Sequence, residues 1–113
     1  MDCVFCKIIK GEIPSKKVYE DELIYAFYDI NPLAPVHVLL IPKQHMDSVN
    51  DVTPENSAAF ARIFEVAARL AAESGIADSG YRIVTNTGAD SGQTVSHLHF
   101  HLLGGTKLSF EMC

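Results

Sequence analysis

The residues best suited to chemistry stand together late in the chain, in Gly92-Gln93-Thr94-Val95-Ser96-His97-Leu98-His99-Phe100-His101-Leu102-Leu103-Gly104-Gly105. Three of the five histidines alternate there with Leu98, Phe100 and Leu102. Side chains of an extended strand point to opposite faces in turn, so the spacing predicts a half-buried strand with His97, His99 and His101 in one exposed row. Neighbours in such a row sit about 7 Å apart, able to address different atoms of one ligand but not to bond each other. One histidine in a strand is ordinary packing. Three in strict alternation point to phosphoryl chemistry or metal binding, because imidazole serves near neutral pH as nucleophile, acid, base or ligand.

Cys3 and Cys6 form a C-x-x-C pair close to the N-terminus. Such a pair is compatible with a redox motif, with two small apolar residues or with zinc. A thioredoxin-like motif belongs between a strand and a helix, so zinc leads if two more ligands exist, and His45 is a third candidate. Three cysteines are an odd number, which argues against a disulfide framework and leaves Cys113 as an unconstrained terminal thiol. Between Thr87 and Gly92, two glycines and small polar residues allow backbone N–H groups to converge on an anion.

The elements that must hold these residues can be read in order. Asp2 caps a short helix running to about Lys10, with Gly11 as its stop. Val4, Phe5 and Ile8 give that helix an apolar side. Lys16 to Glu20 and Leu23 to Asp29 form a hairpin around Glu20-Asp21-Glu22, and His37 to Ile41 is a third, buried strand. Thr53-Pro54-Glu55 opens a long helix of about 30 Å that ends at Gly75, its apolar stripe being Phe60, Ile63, Phe64, Ala67, Leu70 and Ala71. Tyr81 to Asn86 is the fourth strand, the histidine segment the fifth, and 106–113 has no clear element. The expectation is a single α+β domain over 1–113, with a five-stranded antiparallel sheet, one long helix and one short helix.

Nine basic against fourteen acidic residues leave a net charge of −5, which disfavours a nucleic-acid polymer while admitting a single nucleotide. The apolar run from Val36 to Ile41 is too short to span a bilayer, so no membrane partner and a cytoplasmic location are expected.

The alternating histidines, with Gly92-Gln93 upstream, Gly104-Gly105 downstream, Phe27-Tyr28-Asp29-Ile30, and His37 shortly before Ile41-Pro42-Lys43, resemble the Hint branch of the histidine-triad (HIT) superfamily from about Asp2 to Gly105. The resemblance implies a HIT-like fold in a two-fold homodimer packed through the long helix. It implies that His99 is the nucleophile that attacks the α-phosphorus and forms a nucleotidyl-histidine. His101 then donates to phosphate oxygens, Thr94 bonds the phosphate or leaving group, and His37 approaches the phosphate end. Val4, Phe5, Ile8 and Leu39 help form the base slot, with Phe27 and Ile30 as walls. Asp29 accepts from the ribose hydroxyls, Asn86, Gln93 and Thr94 stand at phosphate-contacting positions, and Gly92 belongs to the same nucleotide-binding set.

In related nucleotidylyltransferases and some HIT proteins, an N-terminal C-x-x-C, a histidine after the Ile-Pro strand and the first triad histidine bind zinc. Carried over, these are Cys3, Cys6, His45 and His97, a closed structural set; no organic cofactor is expected. The implied activity is hydrolysis of purine nucleoside 5′-phosphoramidates, with AMP or GMP as the nucleotide. The alternatives are a dinucleoside polyphosphate hydrolase, a non-catalytic nucleotide-binding or interaction module, and a catalytic metal site built from His97, His99 and His101. The transferase branch is disfavoured, because His-Pro-His-x-Gln is not matched by His99-Phe100-His101-Leu102-Leu103.

Overall fold

Residues 24–28 and 36–42 are almost continuously apolar, as expected of strands covered on both faces. The computed structural model, which describes residues 3–109 and Glu111, places both at the centre of one sheet. Its strands are β1 (Lys17–Glu20), β2 (Ile24–Tyr28), β3 (Val36–Pro42), β4 (Tyr81–Val84) and β5 (Phe100–Gly104), and its helices are α1 (Val4–Ile9) and α2 (Ala58–Glu73). The strand order is β1-β2-β3-β5-β4, antiparallel throughout. The expected α+β, HIT-like architecture of five antiparallel strands with one long and one short helix is present.

Alternation along the central strands sends successive side chains to two cores. Ile24 and Ala26, Val38 and Leu40, and Leu98, Phe100 and Leu102 pack against Ile63, Val66, Ala67 and Leu70 of α2. Tyr25, Phe27, Leu39 and Ile41 face the other way and meet Cys3, Phe5 and Ile8 around α1. Leu40 and Ile63 are wholly buried, and each such side chain stabilises the fold by about 1.5–3 kcal/mol. The registers Phe27↔Leu39 and Leu39↔His101 lay these three residues in one row across the α1 face.

The β1–β2 turn is anchored to α2 by Asp21. Its carboxylate accepts from the Leu23 and Ile24 amides at 2.8 and 3.0 Å, from the Tyr19 hydroxyl at 2.7 Å and from Arg62 at 2.6 Å. Burial by itself would raise the Asp21 pKa, but these donors outweigh it and hold the carboxyl well below its usual range. The Arg69 guanidinium lies 4.5 Å over the Tyr19 ring and closes the same junction.

Several boundaries differ from the sequence expectations. The helix α2 starts at Ala58 with Ser57 as N-cap, not at Thr53, so its sixteen residues span about 24 Å. The Asn56 side chain accepts from the Thr53 N–H at 2.8 Å and the Thr53 carbonyl accepts from the Asn56 N–H at 3.2 Å, so these residues close a separate turn. The stop at Gly75 stands, with φ +76°. In the stripe, Ala59 and Val66 are buried while Phe64 is 51% exposed, its ring edge-on to Phe100 at 5.8 Å.

Cys3 is the N-cap of α1, its sulfur accepting from the Cys6 N–H at 3.4 Å; the expected cap Asp2 and the terminal Cys113 lie outside the described residues. The strand β4 stops at Val84, before Asn86. No helix among the described residues is long and apolar enough to cross a membrane.

Candidate functional site

The strand β5 begins at Phe100, so His97 and His99 precede it in an approach that lies outside the strand ladder and follows Gly92, whose φ is +85°. The alternation survives because the Leu98 N–H donates to the Met46 carbonyl at 2.7 Å, holding Leu98 toward α2 and the flanking histidines toward α1. The imidazole row is not the exposed side. His97 is 0% and His99 6% exposed, because α1 lies over them with the Phe5 ring edge-on to His97 at 5.8 Å and to His99 at 5.2 Å. Only His101 is half-open.

The three histidines go to three different tasks. His99 Nδ1 lies 2.7 Å from the His97 carbonyl oxygen. A carbonyl only accepts, so Nδ1 carries the proton and Nε2 keeps a free lone pair. His101 belongs to a second chain of bonds. The Leu33 N–H donates to His37 Nδ1 at 3.0 Å, so the His37 proton sits on Nε2, which donates to His101 Nδ1 at 2.9 Å. Neutral His101 is thereby left with its proton on Nε2.

Burial lowers the His37 pKa, offset in part by the Asp29 carboxylate 3.5 Å away. The same burial, reinforced by His99 and His37, brings His101 down to about 4. Both rings are therefore neutral at pH 7. Asp29, His37 and His101 have ligand atoms grouped closely enough for a metal ion. The proton that Leu33 forces onto His37 Nε2 occupies the place a metal would need.

A different group has the donor chemistry for a cation. Cys3 Sγ, Cys6 Sγ, His45 Nδ1 and His97 Nδ1 all lie within 4.8 Å of one another. His97 Nδ1 is 3.3 Å from Cys3 Sγ, and His45 Nδ1 is 3.2 Å from Cys6 Sγ. Each ring spends its other nitrogen as a donor, His97 Nε2 to the Pro42 carbonyl and His45 Nε2 to Asp47 Oδ1, both at 2.9 Å. Both Nδ1 lone pairs consequently point inward, as in imidazoles that ligate a metal while a second acceptor fixes their tautomer. Burial keeps His97 neutral despite the Pro42 bond, and burial together with Cys3 pushes the Cys6 thiol up. A cation among the four atoms would reverse that thiol shift. Since His97 sits here, His101 beside His37 and His99 on a carbonyl, the structure does not bring the triad together as one three-histidine metal site.

Of the residues assigned to a nucleotide by resemblance, Phe5, Ile8, Phe27 and Leu39 share one buried cluster. Val4 lies outside it, 39% exposed, and borders a hollow of about 390 Å³ with Thr94, Val95 and Asp47. Ile30 is 88% exposed and lines, with Asp29, His37 and Tyr28, a groove of about 710 Å³. One oxygen of Asp29 accepts from the Asn31 N–H at 2.8 Å.

The loop expectation needs correction at two positions. The Gly92 and Gln93 amides bond within the loop, to the Ala89 and Gly88 carbonyls. The Gln93 side chain is also committed, accepting from the Gly88 N–H at 2.9 Å and donating to the Asp47 and Val95 carbonyls at 2.7 and 3.0 Å. Asn86 is half-buried and Thr94 is exposed at the end of the same loop. Two participants escaped the sequence reading. The Leu33 amide left no signal, whereas Asp47, two residues after His45, had one, since a carboxylate beside a ligand histidine is a recurring arrangement.

The HIT domain family model matches residues 10–108, a span that begins after both clustered cysteines. A purine nucleoside phosphoramidase of Escherichia coli (strain K12) is 50% identical over 107 residues, covering 95% of this chain and 90% of that protein. The solved structure of a HIT family hydrolase from Legionella pneumophila Philadelphia 1 superposes with a TM-score of 0.94 at 46% identity, covering 97% of this chain and 98% of the other. A HIT family hydrolase from Clostridium thermocellum reaches the same TM-score at 50% identity, covering 99% and 97%. With the triad, the five-stranded sheet and these matches in agreement, the chain belongs to the HIT family.

Proposed function

We propose that this HIT-family hydrolase cleaves purine nucleoside 5′-phosphoramidates, releasing AMP from adenosine 5′-phosphoramidate. The observation that carries the reading is the bond from His99 Nδ1–H to the His97 carbonyl, which reserves Nε2 for attack on phosphorus. The relative in Escherichia coli that bears the name purine nucleoside phosphoramidase supports the choice of substrate.

In the proposed sequence His99 Nε2 attacks the α-phosphorus in line, the P–N bond to the amine breaks, and the amine departs with a proton. Water then attacks the nucleotidyl-histidine, the P–Nε2 bond breaks, and AMP leaves. His101 offers its Nε2–H to the non-bridging oxygens, oriented by His37, and Thr94 meets the phosphate or the leaving amine. Such acid–base assistance contributes roughly 10²–10⁴-fold in rate. The base rests among Phe5, Ile8, Phe27 and Leu39 with Val4 and Ile30 at its margins, and Asp29 accepts from the ribose. Asn86 stands on the phosphate side, while Gly92 and Gln93 hold the loop in shape through their own bonds.

Zn²⁺ held by Cys3, Cys6, His45 and His97 fits a tetrahedral Cys₂His₂ set, which leaves no position for water and serves structure. A homodimer is proposed from two exposed features. Ala61, Phe64, Ala68 and Ala72 recur at three and four residues along the outer side of α2, and β4 is an edge strand.

The deciding experiment measures AMP release from adenosine 5′-phosphoramidate by the protein and by His99→Ala. Turnover lost in the variant, by at least about 10³-fold, is the expected result. Turnover confined to dinucleoside polyphosphates, or AMP binding without turnover, would overturn the phosphoramidate assignment.

A further inference from the structure

The four-residue cluster and the nucleotide site share more than a neighbourhood. His97 turns its ring into the cluster and its carbonyl toward His99, whose Nδ1–H it accepts at 2.7 Å. Asp47 does the same from the other side. Its carboxylate holds His45 Nε2 at 2.9 Å, while its carbonyl accepts the Gln93 Nε2–H at 2.7 Å, and Gln93 in turn holds Gly88 and Val95. The bond from Leu98 N–H to the Met46 carbonyl zips the two segments together between these points. The cysteine half of the cluster belongs to α1, which also supplies Phe5 against the His99 ring.

We infer that a metal ion in the Cys3–Cys6–His45–His97 cluster positions the reacting half of the site through two backbone carbonyls, those of His97 and Asp47. The inference rests on the zinc and nucleotide readings and extends them, since an anchor for the N-terminal helix alone would not require either carbonyl. Without the cation, the cluster is held by sulfur–imidazole contacts of 3.2 to 3.6 Å, which are weak hydrogen bonds. With it, the His97 ring is fixed at both nitrogens, and its backbone cannot rotate its carbonyl away from His99. Asp47 and His97 are therefore positioning residues, acting on His99 and on the loop through their main chains.

Linkage makes the inference measurable, because two coupled sites raise each other's affinity by one common factor, typically 5–150-fold. The purified full chain is titrated with Zn²⁺ in the presence and absence of AMP, and AMP binding is measured with and without Zn²⁺. Imidazole ¹⁵N spectra at one fixed pH read the His99 tautomer, and amide exchange reads residues 93–99 against β2 and β3. The expected result is an equal gain in both affinities, of about 5-fold or more. Metal removal should also give a mixed His99 tautomer and faster exchange in 93–99, while β2 and β3 remain protected.

Asp47→Ala should weaken Zn²⁺ binding about 10–100-fold, and Asp47→Asn, which keeps an acceptor for His45, should recover most of it. At saturating Zn²⁺ the AMP affinity of Asp47→Ala should return to that of the parent. Zn²⁺ that binds without changing AMP affinity, tautomer or exchange overturns the coupling and leaves the zinc reading intact. A protein that takes up no Zn²⁺ overturns both. If the loaded protein binds no AMP, the nucleotide reading fails, and the tautomer and exchange data decide the coupling.

Discussion

His37 Nε2 lies 2.9 Å from His101 Nδ1, and the Leu33 amide on the opposite nitrogen of His37 decides which of the two rings carries the shared proton. The pair is built to be neutral, and stability must reflect that. Burial depresses both pKa values, His101 to about 4, so the unfolded chain binds more protons than the native one below the ordinary histidine value. The stabilisation from neutral His101 is complete above about pH 6.5 and is lost as the pH falls toward 4. Urea midpoints from pH 7 to 4.5 should therefore decline less steeply in His101→Gln than in the parent. Parallel slopes would contradict the assignment.

Asp29 keeps acceptor capacity beyond its bond to the Asn31 amide, and it borders the groove that Ile30 and His37 share. If it meets the ribose, the parent should prefer ribo- over 2′-deoxy-substrate, and Asp29→Ala should erase that preference. Hydrogen bonds to a charged acceptor contribute about 1.5–3 kcal/mol, so the lost discrimination in kcat/KM is on the order of 10- to 100-fold. An unchanged ratio would remove Asp29 from sugar recognition.

The Asp21 carboxylate, held by Tyr19, Arg62 and two amides, has its folded pKa depressed. Its contribution to stability is present above the ordinary carboxylate value and disappears as the pH drops below about 4. Asp21→Asn should lower the urea midpoint at pH 7 and differ progressively less from the parent on acidification. A constant difference across that range would show that charge is not what Asp21 supplies.

Phe64 stands 51% exposed on the outer side of α2 within a row of alanines. A charge placed there should prevent two helices from packing. Sedimentation of Phe64→Glu is expected to give a monomer where the parent gives a dimer, with unchanged far-ultraviolet circular dichroism. A parent that is monomeric would refute the dimer outright.

Much of the frame was legible because it is local. The period of two along 98–102 divides Leu98, Phe100 and Leu102 from the histidines wherever the segment is placed, and Gly75 ends α2 because glycine accepts φ +76° readily. The start of α2 was not legible, since Thr53-Pro54-Glu55 is a sound helix opening that Asn56 diverts into a turn. The side of α2 that faces the sheet was legible in Ile63, Ala67, Leu70 and Ala71, which are buried, but it also includes Ala59 and Val66 and leaves Phe64 half-exposed at its flank.

The sequence by itself determined which residue types could act and which would share a face: three imidazoles in alternation, a cysteine pair, and an apolar set for a base. Only the tertiary structure decided what each imidazole does. His97 meets Cys3 across 94 positions of sequence and Pro42 across 55, and His101 meets His37 across 64. Tautomer, burial and ligand direction are set by those distant partners, because the ring nitrogen that the fold sets against an acceptor carries the proton and the one set against a donor does not.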